Sequence, residues 1–112
     1  MDVVFHVTAG DRDAVERAVG NAENLLADET VDVGSVALVA NGDAVAHLGA
    51  GGDLATDVTV LLDRGVAVKA CGNTLERRGE SQTDLVVGDE VVVSAMGELA
   101  RLQEQGYAYI RS

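Results

Sequence analysis

The feature that most constrains the fold is the alternation of short apolar runs with longer amphipathic stretches. Val3–Val7, Val36–Ala40 and Val66–Cys71 are rich in valine and alanine, a pattern typical of strands that are covered on both faces. Between them, apolar residues recur at helical spacing, as in Asp11–Asp28. This alternation predicts a parallel sheet with right-handed crossovers and helices on both of its faces. Two shorter strands are predicted later in the chain, at Glu90–Val93 and Tyr107–Ile110.

Chain length and cysteine content bound the kind of protein this can be. A chain of 112 residues fits one domain, spanning 1–112. No apolar run reaches the roughly 18 residues of a membrane helix, so no membrane association is expected. Cys71 is the only cysteine and has no partner for an internal disulfide. A lone thiol without a signal-like start predicts a cytoplasmic location.

The charge balance excludes a second group of functions. Nineteen acidic against eight basic residues give a net charge of −11, which repels phosphate backbones, so no nucleic-acid binding is expected. Lys69 is the only lysine among the bases. An acidic, arginine-based composition predicts a halophilic protein, because concentrated salt screens the repulsion within a dense acidic surface. An ordinary acidic protein is the alternative.

Cys71 is the best candidate for a functional residue. Ligands gather at the carboxyl ends of strands in sheets of this kind, and Cys71 closes the third predicted strand. Gly72 follows it and allows close backbone approach. The free amides of a helix that starts here would lower the thiol pKa. Arg77 and Arg78, on the predicted helix, are a further source of positive potential. The alternative is that Cys71 is a small buried residue with no chemistry.

Helix capping patterns flank this candidate. Asn73 is predicted to cap the helix after the third strand, and Glu76 stands where a capping box requires an acid. Ser94 is predicted to cap the last helix. Asp11 and Asp13 are predicted to lie in the opening turn of the first helix, where they favour a helix cap over a phosphate site.

Other sites find little support in the residues. The chain has neither a GxGxxG nor a GxxxxGK[ST] pattern, so no nucleotide or other cofactor is predicted. His6 and His47 are distant from each other and from the cysteine, so no metal site is predicted. We interpret His6 as a core histidine with satisfied ring nitrogens, with a catalytic role as the alternative. We interpret His47 as a packing or surface residue, with a place lining the crevice as the alternative.

The span from Val66 to Gly79 resembles the active-cysteine segment of the DsrE/DsrF-like family, in which a strand-ending cysteine precedes a helix and an Arg-Gly pair. The closing span from Leu99 to Ile110 and the strand around His6 resemble the short members of the same family. The resemblance implies a three-layer α/β/α domain, flavodoxin-like in general architecture, with a five-stranded parallel sheet. It also implies homo-oligomers, with trimers or hexamers favoured, and kinship with proteins that carry sulfane sulfur as a persulfide on the residue matching Cys71.

Three functional hypotheses follow. The first is a sulfur-carrier or sulfurtransferase-like protein in which Cys71 takes sulfur from a donor protein and passes it to an acceptor, with the Gly72 and Asn73 amides stabilising the thiolate. The second is a non-catalytic module that binds a small ligand or regulates a partner, with Cys71 inert. The third is a redox sensor, which needs the same reactive thiol but a resolving cysteine from another chain.

Overall fold

The structure, a computed structural model, describes residues 1–112 as an open sheet between helices. Its strands are β1 (Val3–Val7), β2 (Val36–Ala40), β3 (Ala67–Cys71), β4 (Glu90–Val92) and β5 (Ala108–Arg111). Its helices are α1 (Arg12–Ala27), α2 (Ala55–Asp63), α3 (Gly72–Arg78) and α4 (Ala95–Glu104), with 3-10 turns at Gly42–Leu48 and Gln82–Asp84.

The five strands form one sheet in the order β4-β3-β2-β1-β5, and every neighbouring pair is parallel. β1 and β2 are buried at every residue, because both lie in the interior of the sheet and are covered on both sides. The predicted fold class is therefore confirmed, including the number of strands and their direction.

The strand order determines which face each helix covers. The first three crossovers step from β1 to β2, β3 and β4 in one direction, while the last returns across the sheet from β4 to β5. Since crossovers are right-handed, the reversal places α4 on the opposite face from α1 and α2. We call the two sides the α1/α2 face and the α4 face.

The two faces bury different amounts of apolar side chain. On the α1/α2 face, a cluster of 22 buried residues joins the sheet to α1, α2, α3 and the Gly42–Leu48 turn. On the α4 face the cluster has seven members. They are Val4, Ala37, Val39, Cys71, Ala95, Leu99 and Leu102. One helix covers this side, so its apolar core is small.

Local capping agrees with the sequence at two helices and differs at a third. The Asp11 carboxylate accepts from the Asp13 amide, and the Ser94 hydroxyl accepts from the Gly97 amide, as N-caps do. The capping box predicted at Asn73 is wrong, because α3 already begins at Gly72 and its N-cap is Cys71. Asn73 therefore lies inside the first turn.

A capping box does occur in a segment for which the sequence predicted no helix. Ser81 and Asp84 bond each other's backbone amide groups around the Gln82–Asp84 turn. This segment leads to β4 and shapes the surface beside Asp89. None of the helices is long and apolar enough to cross a membrane.

Candidate functional site

The chain reverses its crossover direction between two neighbouring strands, β3 and β4. The connection after β3 runs to the α1/α2 face, where Leu75 of α3 joins the large cluster. The connection after β4 runs to the α4 face. In open α/β sheets, a crevice forms where adjacent strands part in this way, and ligands bind there. Cys71 is the last residue of β3, and it stands at this crevice.

The Cys71 side chain faces α4 and is almost completely buried. Its exposed fraction is 6%. The Ala95 amide, at the start of α4, donates to Cys71 Sγ with an N···S distance of 3.4 Å. The sulfur therefore lies between the first turns of two helices, α3 and α4. The sequence predicted the first of these contacts to helix amides but not the second.

Gly72 permits the close approach of the two strand ends. A Cβ atom at this position would lie 2.7 Å from the Val92 carbonyl oxygen and 3.3 Å from that of Val93. Because backbone atoms cannot yield as a flexible side chain can, a larger residue would push β4 away from the β3–α3 turn. The predicted role of Gly72 in close backbone approach is confirmed.

Two opposing effects act on the Cys71 thiol. Burial raises its pKa, while hydrogen bonds from the Ala95, Thr74 and Asn73 amides and the Thr74 hydroxyl lower it. The balance is a pKa below the ordinary value. Hydrogen bonds favour the thiolate because the partial positive charges of fixed N–H and O–H groups stabilise the ionised sulfur.

Thr74 is the side chain that orients this environment. Its hydroxyl oxygen accepts from the Gly42 amide at 3.1 Å and from Arg77 Nη2 at 3.4 Å. The same hydroxyl contributes to the lowered pKa of the Cys71 thiol. Thr74 is 3% exposed, so solvent does not compete for these bonds.

The sequence anticipated this electrostatic environment only in part. Of the two amides expected to stabilise the thiolate, that of Asn73 does so and that of Gly72 does not. Arg77 acts through Thr74 rather than on the sulfur. Arg78 is paired with Glu80, at 2.8 Å between Nε and Oε1, and does not contribute to the thiol pKa.

A buried ion pair holds α4 against the sheet close to Cys71. Lys69 precedes Cys71 on the same side of β3, and its Nζ pairs with the Glu98 carboxylate of α4. The Lys69 and Glu98 side chains are 14% and 7% exposed. Arg101 also pairs with Glu98, and Glu90 lies 4.0 Å from Lys69 Nζ. Since Glu98 follows Ala95 by about one helical turn, this pairing helps to fix the amide that contacts the sulfur.

The histidines lie outside the Cys71 environment. Nε2 of His6 bonds Asn41 Oδ1 at 2.9 Å, and Nδ1 bonds the Tyr109 hydroxyl at 2.6 Å. Because the amide oxygen only accepts, Nε2 carries the proton and Nδ1 accepts from Tyr109. The interpretation of His6 as a satisfied core histidine is confirmed. His47 Nε2 bonds the Gly10 carbonyl oxygen at 2.7 Å on the surface, as expected of a packing or surface residue.

Ala95 and Thr74 are the site residues that sequence reasoning missed. Neither residue type carries a chemical signature. The one available signal for Ala95 is its place directly after Ser94, the cap of α4. Recognising its contact with Cys71 requires knowing that β3 and β4 are neighbours whose connections diverge. No group of three or more His, Cys, Asp or Glu side chains is placed to hold a metal ion.

Comparison with known proteins gives a consistent result. The model of the DsrE/DsrF-like family matches residues 1–111. A protein of unknown function, MTH1491 from Methanobacterium thermoautotrophicum, is 37% identical, with a TM-score of 0.93, and the match covers 99% of this chain and 98% of that one.

More distant structures share the fold. The ychN protein from E. coli is 21% identical, with a TM-score of 0.80 and all of both chains covered. A conserved protein of unknown function, BT1422 from Bacteroides thetaiotaomicron, is 14% identical, with a TM-score of 0.74 and coverage of 99% and 94%. No curated protein shows a significant match to the sequence.

Proposed function

This chain belongs to the DsrE/DsrF-like family, and from that premise we propose that it is a sulfur carrier, with Cys71 as the residue that holds the sulfur as a persulfide. The observation that carries the proposal is the placement of Cys71 Sγ at the end of β3, between the first turns of α3 and α4, with the Ala95 amide donating to it at 3.4 Å. The resemblance of the segment from Val66 to Gly79 to the family's active-cysteine segment supports the same residue.

The transfer is a displacement at sulfur. The Cys71 thiolate attacks the outer sulfur of a persulfide or polysulfide donor, so that a bond forms between Sγ and that sulfur as the donor's S–S bond breaks. The donor leaves as a thiolate or as a polysulfide shorter by one sulfur. No external oxidant or reductant is consumed, and the terminal sulfur on Cys71 is then available to an acceptor thiolate.

The environment of Cys71 favours the attacking form of the sulfur. A pKa below the usual value of about 8.5 increases the thiolate fraction near neutral pH. The Ala95 amide, which donates to Sγ, would lie next to the inner sulfur of the persulfide. No cofactor enters this chemistry.

Apolar residues near the crevice support a protein as the source of the sulfur. Val93 and Met96 flank Ala95 and are 89% and 57% exposed. Val91, on β4, is 38% exposed. Val91, Val93 and Met96 lie within six consecutive positions of the chain, and exposed apolar groups concentrated in this way commonly mark a docking surface. A donor protein that covers these residues would bring its persulfide to the mouth of the crevice.

The proposal is tested by incubating the purified protein with inorganic polysulfide and measuring intact mass. We expect an adduct of roughly 32 Da, one sulfur atom on a nucleophilic thiolate, that maps to Cys71 and disappears on reduction. The Cys71→Ser protein is the matched control, with circular dichroism showing that it is folded. No adduct, or an equal adduct on the serine variant, contradicts the carrier function and favours an inert cysteine.

Assembly into a trimer or hexamer, with separate donor and acceptor proteins, belongs to this proposal. The exposed edge strand β5 supports it, because Tyr109 and Ile110 are 41% and 40% exposed there. Light scattering on the purified protein measures the subunit number. A monomer at the concentrations used for sulfur loading contradicts the assembly but leaves the loading experiment interpretable.

A further inference from the structure

Asp89 is a buried carboxylic acid with no partner for its side chain. It stands immediately before β4 and is 3% exposed. Both carboxylate oxygens are buried and lack a hydrogen bond. Its backbone is satisfied, because its amide donates to the Val86 carbonyl at 3.0 Å and its carbonyl accepts from Gln82 Nε2 at 3.2 Å. The side chain alone is left without partners.

This arrangement is costly in the unliganded protein. An ionised carboxylate buried without donors is destabilising, and burial raises the pKa of Asp89 to about 7. A group kept at such a cost commonly has a function in binding or catalysis.

A cavity lies beside Asp89. Its volume is about 400 Å³, and its walls include Gln82, Leu85, Val86, Val87 and Asp89. A second hollow of about 380 Å³ adjoins it across Val86 and Val87. The cavity is at the lower end of the range of roughly 300–1,000 Å³ for small-ligand sites, and it combines apolar walls with a few polar groups as such sites do.

The Asp89 cavity is separate from the Cys71 crevice. Cys71 is paired with Val92, at the carboxyl end of β4, whereas Asp89 precedes the amino end of that strand. Val92 lies three positions after Asp89, about 10 Å along the sheet. Alternation along the strand also sets Asp89 opposite to Glu90, which faces Lys69 on the α4 side.

We propose that the cavity beside Asp89 binds a ligand carrying a guanidinium or amidinium group. Two unpaired oxygens on one carboxylate match the two parallel N–H donors of such a cation, which is the strongest form of this contact. Leu85, Val86 and Val87 supply apolar walls for the remainder of the ligand. The net charge of −11 favours a cation over an anion at any recess of this surface.

The cation has two sources with the same chemistry, a free small molecule or an arginine side chain of another protein. Both would engage Asp89 with the same pair of N–H donors. They differ in whether a peptide backbone extends from the cation. Comparing methylguanidine with an arginine-containing peptide separates them.

The test is an NMR titration of the ¹⁵N-labelled protein with benzamidine, an aromatic amidinium, and with benzamide, its neutral counterpart of nearly the same shape. We expect benzamidine to shift the amide signals of Gln82 to Glu90 and to bind about tenfold or more tightly than benzamide, because only the cation forms a charge-assisted pair. Equal binding of the two compounds, or no shift in this segment, overturns the proposal.

Three variants localise the contact. Asp89→Asn keeps the shape of the side chain but not its charge and should lose at least about tenfold in benzamidine affinity. Glu90→Gln removes a neighbouring charge on the other side of β4 and should change the affinity by less than about twofold. If Asp89→Asn fails to fold, Thr83→Trp, which obstructs the cavity from its exposed rim, should also abolish binding. Benzamidine binding that survives in Asp89→Asn or Thr83→Trp contradicts the site.

Methylguanidine and a blocked glycyl-arginyl-glycine peptide distinguish the two sources. Tighter binding of the peptide identifies an arginine side chain presented by a protein, and equal binding identifies a free small molecule. Failure of both, with benzamidine also inactive, overturns this inference and leaves the sulfur-carrier proposal unaffected, because Cys71 is not involved.

Discussion

The two faces of the sheet differ in how they are stabilised, and the difference explains where chemistry is possible. The apolar cluster of the α1/α2 face has 22 buried residues, and the buried Asp89 lies at its margin beside Leu85 and Val86. The α4 face has seven such residues, with Cys71 among them, and it also contains the buried His6 and the Lys69–Glu98 pair. A face covered by one helix leaves polar groups near the crevice, and each of them needs a specific partner.

The contrast follows from one step in the topology. Three crossovers run in one direction and build the α1/α2 face, whereas only the last runs back. The same reversal parts the connections of β3 and β4 and places the α4 amino terminus against Cys71. The thin face and the candidate site therefore have a common origin.

Truncating one apolar side chain on each face should give the largest difference in stability between the two faces. Leu38→Ala, on the α1/α2 face, should lower the free energy of unfolding by about 4 kcal/mol, because the dense surroundings of a fully buried residue cannot collapse into the cavity. Leu99→Ala, on α4, should cost about 2 kcal/mol, because a single helix can shift to fill the space. Urea unfolding monitored by circular dichroism measures both. Equal losses of unfolding free energy in the two variants would contradict the difference between the faces.

Removing one member of the buried ion pair tests how the α4 face depends on specific partners. Lys69→Met should destabilise the protein by about 2 kcal/mol, since it leaves Glu98 buried with only Arg101 as a counter-charge. The double variant Lys69→Met with Glu98→Leu should recover most of that loss, because neither charge remains. Chemical denaturation of the four proteins gives the coupling free energy. A double variant as unstable as the sum of the single variants would contradict the account.

Asp89→Asn tests how the buried, unpartnered carboxyl of Asp89, away from the α4 face, affects stability. Burial raises the pKa of Asp89 to about 7 in the folded state, so this group favours folding at low pH and loses that contribution as pH rises through about 7. Between about pH 6 and pH 8 the wild type should lose about 1 kcal/mol relative to the asparagine variant, which cannot ionise. Denaturation at both pH values measures the difference. A difference independent of pH would show that the carboxyl has solvent or ion partners.

Thr74→Val tests the smallest expected effect, a change in the pKa of the Cys71 thiol. Valine fills the same space but has no hydroxyl, so the Cys71 pKa should rise. Serine at the same position should restore most of the lowering. The pH dependence of alkylation of each variant measures the change. An unchanged pKa in the valine variant would remove Thr74 from the site.

The sheet can be predicted from the sequence, but the full environment of Cys71 cannot. Valine-rich strands and amphipathic helices are local patterns, so β1, β2 and α1 are predicted within a residue or two. The start of α3 could not be predicted in this way. Asn73 and Glu76 match a local capping pattern, whereas the close approach of Gly72 to Val92 depends on the tertiary structure.

The same distinction applies to the functional residues. Cys71 is predictable because it is chemically distinctive and ends a strand. Ala95 contributes a backbone amide, which no side-chain pattern reveals, and Thr74 depends on bonds from Gly42 and Arg77. Asp89 follows a glycine in an acidic chain and is indistinguishable there from a surface turn. The halophilic character predicted from the composition stays a prediction.

The most direct test of the central claim is the rate of Cys71 alkylation by iodoacetamide as a function of pH, in the folded protein and in the same protein unfolded in urea. The chain has one cysteine, so each profile reports that thiol alone. We predict a midpoint near 8.5 for the unfolded chain and a lower midpoint for the folded one. A folded midpoint at or above the unfolded value would contradict it, because burial would then outweigh the amides of α3 and α4.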